Sequence, residues 1–210
     1  MKSFARRIRV CSGISGMSDL FEEPDDATPL TAEERRELIP AHIAYRRELN
    51  EAEQDNIARA QDWALNRRRD PLSEKFVQEL HRRMLGDVWR WAGKFRKSER
   101  NLGIPFYEIP VALRQLLDDT KAWIQYRTYP PDEIAVRFHH RLVQIHPFPN
   151  GNGRHARLMA DLLVMRLGSE RFSWGSAKLQ NTGVVRQRYI AALQAADDHD
   201  VGPLLAFARS

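Results

Sequence analysis

Apolar residues recur at helical spacing along most of the chain. Phe76, Val77, Leu80, Met84 and Leu85 fall three or four residues apart, which is one face of an amphipathic helix. Gly86 is placed to end it. Leu113, Leu116, Leu117, Thr120 and Ile124 repeat the pattern, and Ile134, Ala135, Phe138, Leu142 and Ile145 repeat it again after Pro130 and Pro131. Met159, Leu162, Leu163, Val164 and Leu167 make a further helix with Gly168 as its cap. Val185 to Ala196, carrying Tyr189, Ala192 and Leu193, reads as the last long one. Near the start, Thr31-Ala32-Glu33-Glu34 is a capping-box sequence that opens a helix, and Pro40 breaks it. From Ala41 to about Arg68 there is no glycine or proline. Ile43, Leu49, Ile57, Ala60, Trp63 and Ala64 give a thinner stripe there, as expected of a surface helix that is partly docked.

Two stretches break the helical period. Trp89, Trp91 and Phe95 crowd around Gly93 and are expected as an aromatic plug under a loop. Asn101 to Pro110 reads NLGIPFYEIP. Its β-forming residues, glycine and two prolines suggest a short hairpin, the one β candidate in the chain. No internal repeat or low-complexity tract is present. The expected fold is all-α with one short β-hairpin: a flexible tail over residues 1–30, a helical arm over 31–69 and a core over 70–210.

Composition narrows the setting. The 210 residues are 42% hydrophobic and 29% charged, as in an ordinary globular chain, and no apolar run is long enough for a membrane span. Cys11 is the single cysteine, so there is no internal disulfide framework and no cysteine metal site. A reducing, cytoplasmic setting is the expectation. Lys2, Arg6, Arg7 and Arg9 are followed by no apolar segment of the signal-peptide kind, and Met17 is an alternative start. The net charge of +5 suits either a solvated basic surface or attraction for nucleotides. No helix-turn-helix or zinc-finger signature accompanies it, so nucleic acid is not an expected partner.

The chemistry concentrates between Ile145 and Arg157, I-HPFPNGNGR-HAR. Phe148 can anchor the turn, and Pro147 favours extended backbone at His146. Gly151 and Gly153 allow close approach of a ligand and positive φ. The helix that follows presents unbonded amides and its positive dipole end, a natural phosphate site. Arg154 and Arg157 share a helix face and suit phosphate oxygens. His146 beside them could act as general base. His139, His140, His146 and His155 do not follow any standard zinc spacing.

HPFPNGNGR resembles the signature of Fic (Fido) proteins, HPFx[D/E]GN[G/K]R, with Arg157 as a second arginine. LHRRMLGDVWRWAGKFR, from Leu80 to Arg96, and RYIAALQAADDHDVGPLLAF near the C-terminus are similar to the same family. The likeness spans roughly Leu72 to Phe207, and the segment before it resembles mobile-element-associated bacterial Fic proteins. The resemblance implies transfer of AMP from ATP to a Ser, Thr or Tyr hydroxyl of an unidentified protein target. His146 would be the base. The Gly151, Asn152 and Gly153 amides would form an anion hole, with the Asn152 side chain also touching phosphate. Arg154 would hold the β- and γ-phosphates and Arg157 the γ-phosphate. Ile104, Pro105, Phe106 and Tyr107 would form a flap that receives the target as an added strand. Mg²⁺ (or Mn²⁺) would accompany ATP. No membrane partner is implied, and homo-oligomers are compatible with the reading.

Asn150 departs from the pattern, because the family places a metal-holding Asp or Glu there. Three outcomes follow: a weaker AMP transferase, transfer of another phosphate-containing group, or a nucleotide-binding protein with little catalysis. Many family members also carry an inhibitory helix, [S/T]xxxE[G/N]. Its nearest analogue is Asn50 to Asn56, NEAEQDN. Glu53 is the candidate inhibitory residue, with Glu48 next and Arg157 the expected partner; the alternative is that both are solvated surface acids.

Overall fold

The computed structural model describes residues 32–66, 69–175 and 182–210. The expected tail, the Thr31 cap and the question of the start lie outside them. Among the described residues eight α-helices follow one another: α1 Ala32–Glu37, α2 Arg46–Leu65, α3 Glu74–Leu85, α4 Ile109–Gln125, α5 Pro131–Ile145, α6 Asn152–Arg166, α7 Thr182–Asp197 and α8 Gly202–Ala208.

The centre is α6. Ala156, Met159, Ala160, Leu163 and Val164 are fully buried, and so are His155 and Asp161, leaving the helix covered on nearly every side. It packs along α5, which packs in turn on α4; α2 lies on α3, and α7 on α8. Phe138, Leu142 and Ile145 of α5 face this core. Ser73 starts α3 by accepting the Phe76 amide at 3.3 Å. Gly86 follows its last turn because a Cβ there would lie 2.4 Å from the Arg82 carbonyl oxygen.

The N-terminal arm is stitched to the core. After α1 the chain turns extended, and Leu38 bridges antiparallel to Trp89. Flanking it, Ile39 donates to the Val88 carbonyl at 2.8 Å and Arg90 to that of Glu37 at 3.0 Å. The long helix expected from Ala41 begins only at Arg46. Glu48 reaches back to accept the Ala44 and Tyr45 amides at 2.8 and 3.2 Å, and these bonds hold its carboxyl below the usual range. Glu48 is therefore a helix cap, not a second inhibitory candidate. The buried face of α2 is Leu49, Glu53, Asn56, Ala60 and Ala64, so two polar residues sit inside an otherwise apolar stripe.

The hairpin expected over Asn101 to Pro110 does not form, and no strand longer than that single bridge occurs among the described residues. Residues 101–104 run as bends, and Phe106–Glu108 is one 3-10 turn feeding α4. Pro110 sits in the first turn of α4, where its missing N–H costs nothing. Trp89, Trp91 and Phe95 do form an aromatic plug: Trp89 stacks on Trp91 at 5.2 Å and Phe95 lies 5.7 Å from Phe148. No described helix is long and apolar enough to cross a membrane.

Candidate active site

The site is the turn between α5 and α6. His146 ends α5 in the left-handed region, φ 51 and ψ 60, where the residue before Pro147 was expected to be extended. A non-glycine residue there costs roughly 1–2 kcal/mol. Two bonds hold it: its amide donates to Leu142 O at 3.2 Å, and its carbonyl accepts Arg96 Nε at 2.7 Å. Phe148 is fully buried. Gly151 has φ +76, and a Cβ on it would meet Leu85 Cδ1 at 2.6 Å; Gly153 is already helical. The first amides of α6 have no acceptor within the helix.

Two side chains rigidify this loop. Asn152 accepts from the Phe148 amide and donates to the Phe148 carbonyl, both at 2.9 Å. Its amide group thus closes the loop where phosphate contact was expected. His81 stacks on Phe148 at 3.6 Å. The Gly93 amide donates to its Nδ1 at 2.9 Å, so the ring proton sits on Nε2, which donates to the Asn150 carbonyl at 3.0 Å. Burial pushes His81 well below its ordinary pKa, which keeps this tautomer neutral.

His146 is almost fully buried. Its pKa is pushed down to about 4, first by burial and then by the Arg96 guanidinium, with Arg100 adding to it. The ring is therefore neutral near pH 7, the form a general base needs. Against it packs the stretch around Gly103 expected to form the flap. Gly103 has φ +101, and a Cβ there would meet His146 Cβ at 2.6 Å and Arg96 Nη2 at 2.8 Å. Arg96 also donates to the Ile104 carbonyl. Past Pro105, Phe106 and Tyr107 point outward, Tyr107 being 68% exposed.

Glu53 does reach the site, but on the other arginine. Its Oε2 lies 2.6 Å from Arg154 Nη1, and its Oε1 accepts Trp89 Nε1 at 2.5 Å. Glu53 is buried, at 6% exposure, not a solvated acid. Arg157 instead turns to Tyr189, with its guanidinium carbon 5.6 Å from the ring centroid and a guanidinium N–H donating to the phenol oxygen. Tyr189 also contacts His139 Nε2 at 2.9 Å. One helical turn carries Arg154 and Arg157 onto neighbouring but different partners, because α2 lies beside the first turn of α6 and α7 beside the second arginine.

The donors do not make a cage for a resident metal. Asn150 Oδ1 is neutral and already accepts the Gly151 amide, and no group of three His, Cys, Asp or Glu occurs among the described residues. His139, His140 and His155 are each engaged separately, with Tyr189, Asp197 and the Val77 carbonyl. His81, Arg96, Trp89, Gly103 and Tyr189 were not singled out from sequence as site residues. His81 left a trace as a histidine between Leu80 and Met84 on an apolar face.

The Fic/DOC family model matches residues 71–164, which contain the whole turn, the flap and His81. Over these residues the chain carries a Fic domain. The chain is 32% identical over 142 residues to the protein adenylyltransferase Fic of Aedes aegypti, covering 66% of this chain and 27% of that protein. It is 30% identical over 162 residues to the protein adenylyltransferase fic-1 of Caenorhabditis elegans, 64% and 32% of the two chains. The chain thus spans about a quarter to a third of the length of these curated relatives. Among solved structures, a Fic-1 fragment from C. elegans superposes with TM-score 0.60 at 28% identity, over 75% of this chain and 48% of that one. BepC of Bartonella tribocorum, solved with bound AMPPNP, gives 0.63 at 16% identity over 85% and 97%, a likeness of fold.

Proposed function

We propose that this Fic domain transfers AMP from ATP to a hydroxyl side chain of another protein. The observation that carries the reading is His146, buried and neutral, set against a glycine turn and a helix N-terminus with Arg154 in the first turn. In this reading His146 accepts the proton of a Ser, Thr or Tyr hydroxyl. The oxygen attacks the α-phosphorus of ATP, and pyrophosphate leaves. The amides of Asn152 and Gly153 face the phosphates, where fixed donors need little reorganisation, and that of Gly151 joins them once it leaves the Asn150 side chain. Arg154 takes the β- and γ-phosphates once released from Glu53, and Arg157 takes the γ-phosphate. Mg²⁺ or Mn²⁺ enters as part of the metal–ATP substrate, its shell supplied largely by phosphate and water, since Asn150 offers one neutral oxygen.

Ile104, Pro105, Phe106 and Tyr107 receive the target. An incoming segment pairs with the backbone of this stretch once it takes up an extended conformation. In this reading the arm over residues 31–69 is regulatory, because its Glu53 pairs with Arg154 and competes for it with phosphate. The single cysteine and ATP as substrate favour a cytoplasmic setting.

The test is incubation with labelled ATP and Mg²⁺ or Mn²⁺, with wild type, Glu53→Gly and His146→Ala compared. Label on the chain or on lysate proteins, stronger with Glu53→Gly and lost with His146→Ala, supports the reading. If none of the three labels anything, or His146→Ala labels as wild type does, AMP transfer is wrong. ATP bound without transfer would favour the non-catalytic nucleotide-binding reading that Asn150 suggests.

A further inference from the structure

We propose that Arg96 is a positioning residue of this site, one buried guanidinium that fixes the His146 backbone and the flap at Ile104 to each other. Its activity arm rests on the AMP-transfer reading above; its structural arm does not.

Arg96 is 3% exposed, and its contacts are carbonyl oxygens. Nε donates to His146 at 2.7 Å, Nη1 to Ser98 at 3.1 Å, and Nη2 to Ile104, with Ile145 at the limit of 3.5 Å. Its own amide donates to Pro147 O at 2.9 Å. The nearest carboxylate, Glu99, is mostly exposed and stands 3.9 Å away. A buried cation with no close carboxylate persists only where its donors are spent in good geometry. Here they are spent on two separate segments, the left-handed residue His146 and the stretch at Ile104 packed against it. The planar fork is what spans the two; an ammonium is a single point and cannot hold the same pair of directions. Gly103 completes the clasp, since its missing Cβ leaves room for both His146 and Arg96.

The guanidinium has a second effect on the base. It is the larger of the two charges that disfavour imidazolium at His146, Arg100 being the other, while the Val143 carbonyl works against them. Nucleotide contacts, in contrast, fall to the α6 start and its arginines, which Arg96 does not touch. A loss at Arg96 therefore belongs in turnover and not in ATP affinity.

The experiment compares Arg96→Lys, Arg96→Met and Gly103→Ala with wild type in the full chain. Steady-state transfer, ATP titration by calorimetry and amide exchange are measured for each. The clasp predicts at least a tenfold fall in kcat for Arg96→Lys, ATP affinity within about threefold of wild type, and faster exchange confined to the flap and the His146 turn. Arg96→Met also moves the acid limb of the pH–rate profile upward, which a purely structural role would not. Gly103→Ala, with Arg96 intact, shifts kcat and exchange in the same direction and decides the matter if the Arg96 variants do not fold. Wild-type turnover in Arg96→Lys, or equal loss of kcat and ATP binding, overturns the proposal. If wild type itself transfers nothing, AMP transfer has failed, and exchange with the His146 ring titration by NMR decides the clasp alone. No change in either overturns it.

Discussion

Glu53 and Arg154 form an ion pair at 2.6 Å across 101 residues of sequence, and the Trp89 indole holds the other carboxylate oxygen. The carboxylate is nearly buried, and the arginine side chain is 26% exposed. A triphosphate that needs Arg154 must displace a partner already in place. Charge-assisted bonds of this kind are worth about 1.5–3 kcal/mol, so Glu53→Gly should tighten ATP binding roughly tenfold to a hundredfold. Calorimetric titration of both proteins measures it. Equal affinities would mean that Glu53 and nucleotide do not compete.

Trp89 supplies the second hold on that carboxylate. Trp89→Phe keeps a ring against Trp91 and removes the N–H, at a cost of about 1 kcal/mol of stability. The freed Glu53 oxygen should loosen the pair with Arg154, so ATP affinity should rise, but by less than in Glu53→Gly. A double variant no tighter than Glu53→Gly alone would show that the two act through one contact. A full additive gain would separate them.

The helices were legible because their apolar positions repeat. The period of Leu113 to Ile124 and of Ile134 to Ile145 places α4 and α5 within a few residues. The hairpin was not, because prolines fit both the edge of a strand and the first turn of a helix; Pro110 takes the second role. The turn from His146 to Arg154 carried its chemistry in local sequence. Which arginine Glu53 would meet did not, since that depends on where α2 docks along α6. His81 shows the same limit. Its place beside Leu80 marks it as inward-facing, but its partner Asn150 is 69 residues away.

Asn150 is the position most open to gain. Its side chain accepts the Gly151 amide, which a carboxylate could also do while adding a charge. Asn150→Asp should lower the Mg²⁺ concentration for half-maximal transfer about tenfold, the equivalent of about 1.4 kcal/mol. A metal titration of the labelling rate at saturating ATP reads it. An unchanged midpoint would show that the substrate phosphates alone set metal affinity.

The buried histidines separate two pH responses. His81 is pushed well below its ordinary pKa, His139 and His155 down to about 3 and His146 to about 4, burial being the leading cause in each. The unfolded chain takes up protons on these rings near pH 6.5, while the folded chain does not until far lower. Stability from this source is thus complete above about pH 6.5 and is lost as pH falls toward 4, by up to about 1.4 kcal/mol per pH unit for each ring. Asp161, whose carboxyl burial raises, acts in the opposite sense but nearer the carboxylate range. The midpoint of thermal unfolding should therefore drop between pH 7 and 5. His155→Gln, which keeps a donor for the Val77 carbonyl, should make that drop shallower. Transfer by folded protein should stay flat over the same interval, because His146 remains neutral and able to accept a proton. A rate that titrates near pH 6.5, in step with ordinary imidazole, would place the working base outside the buried turn.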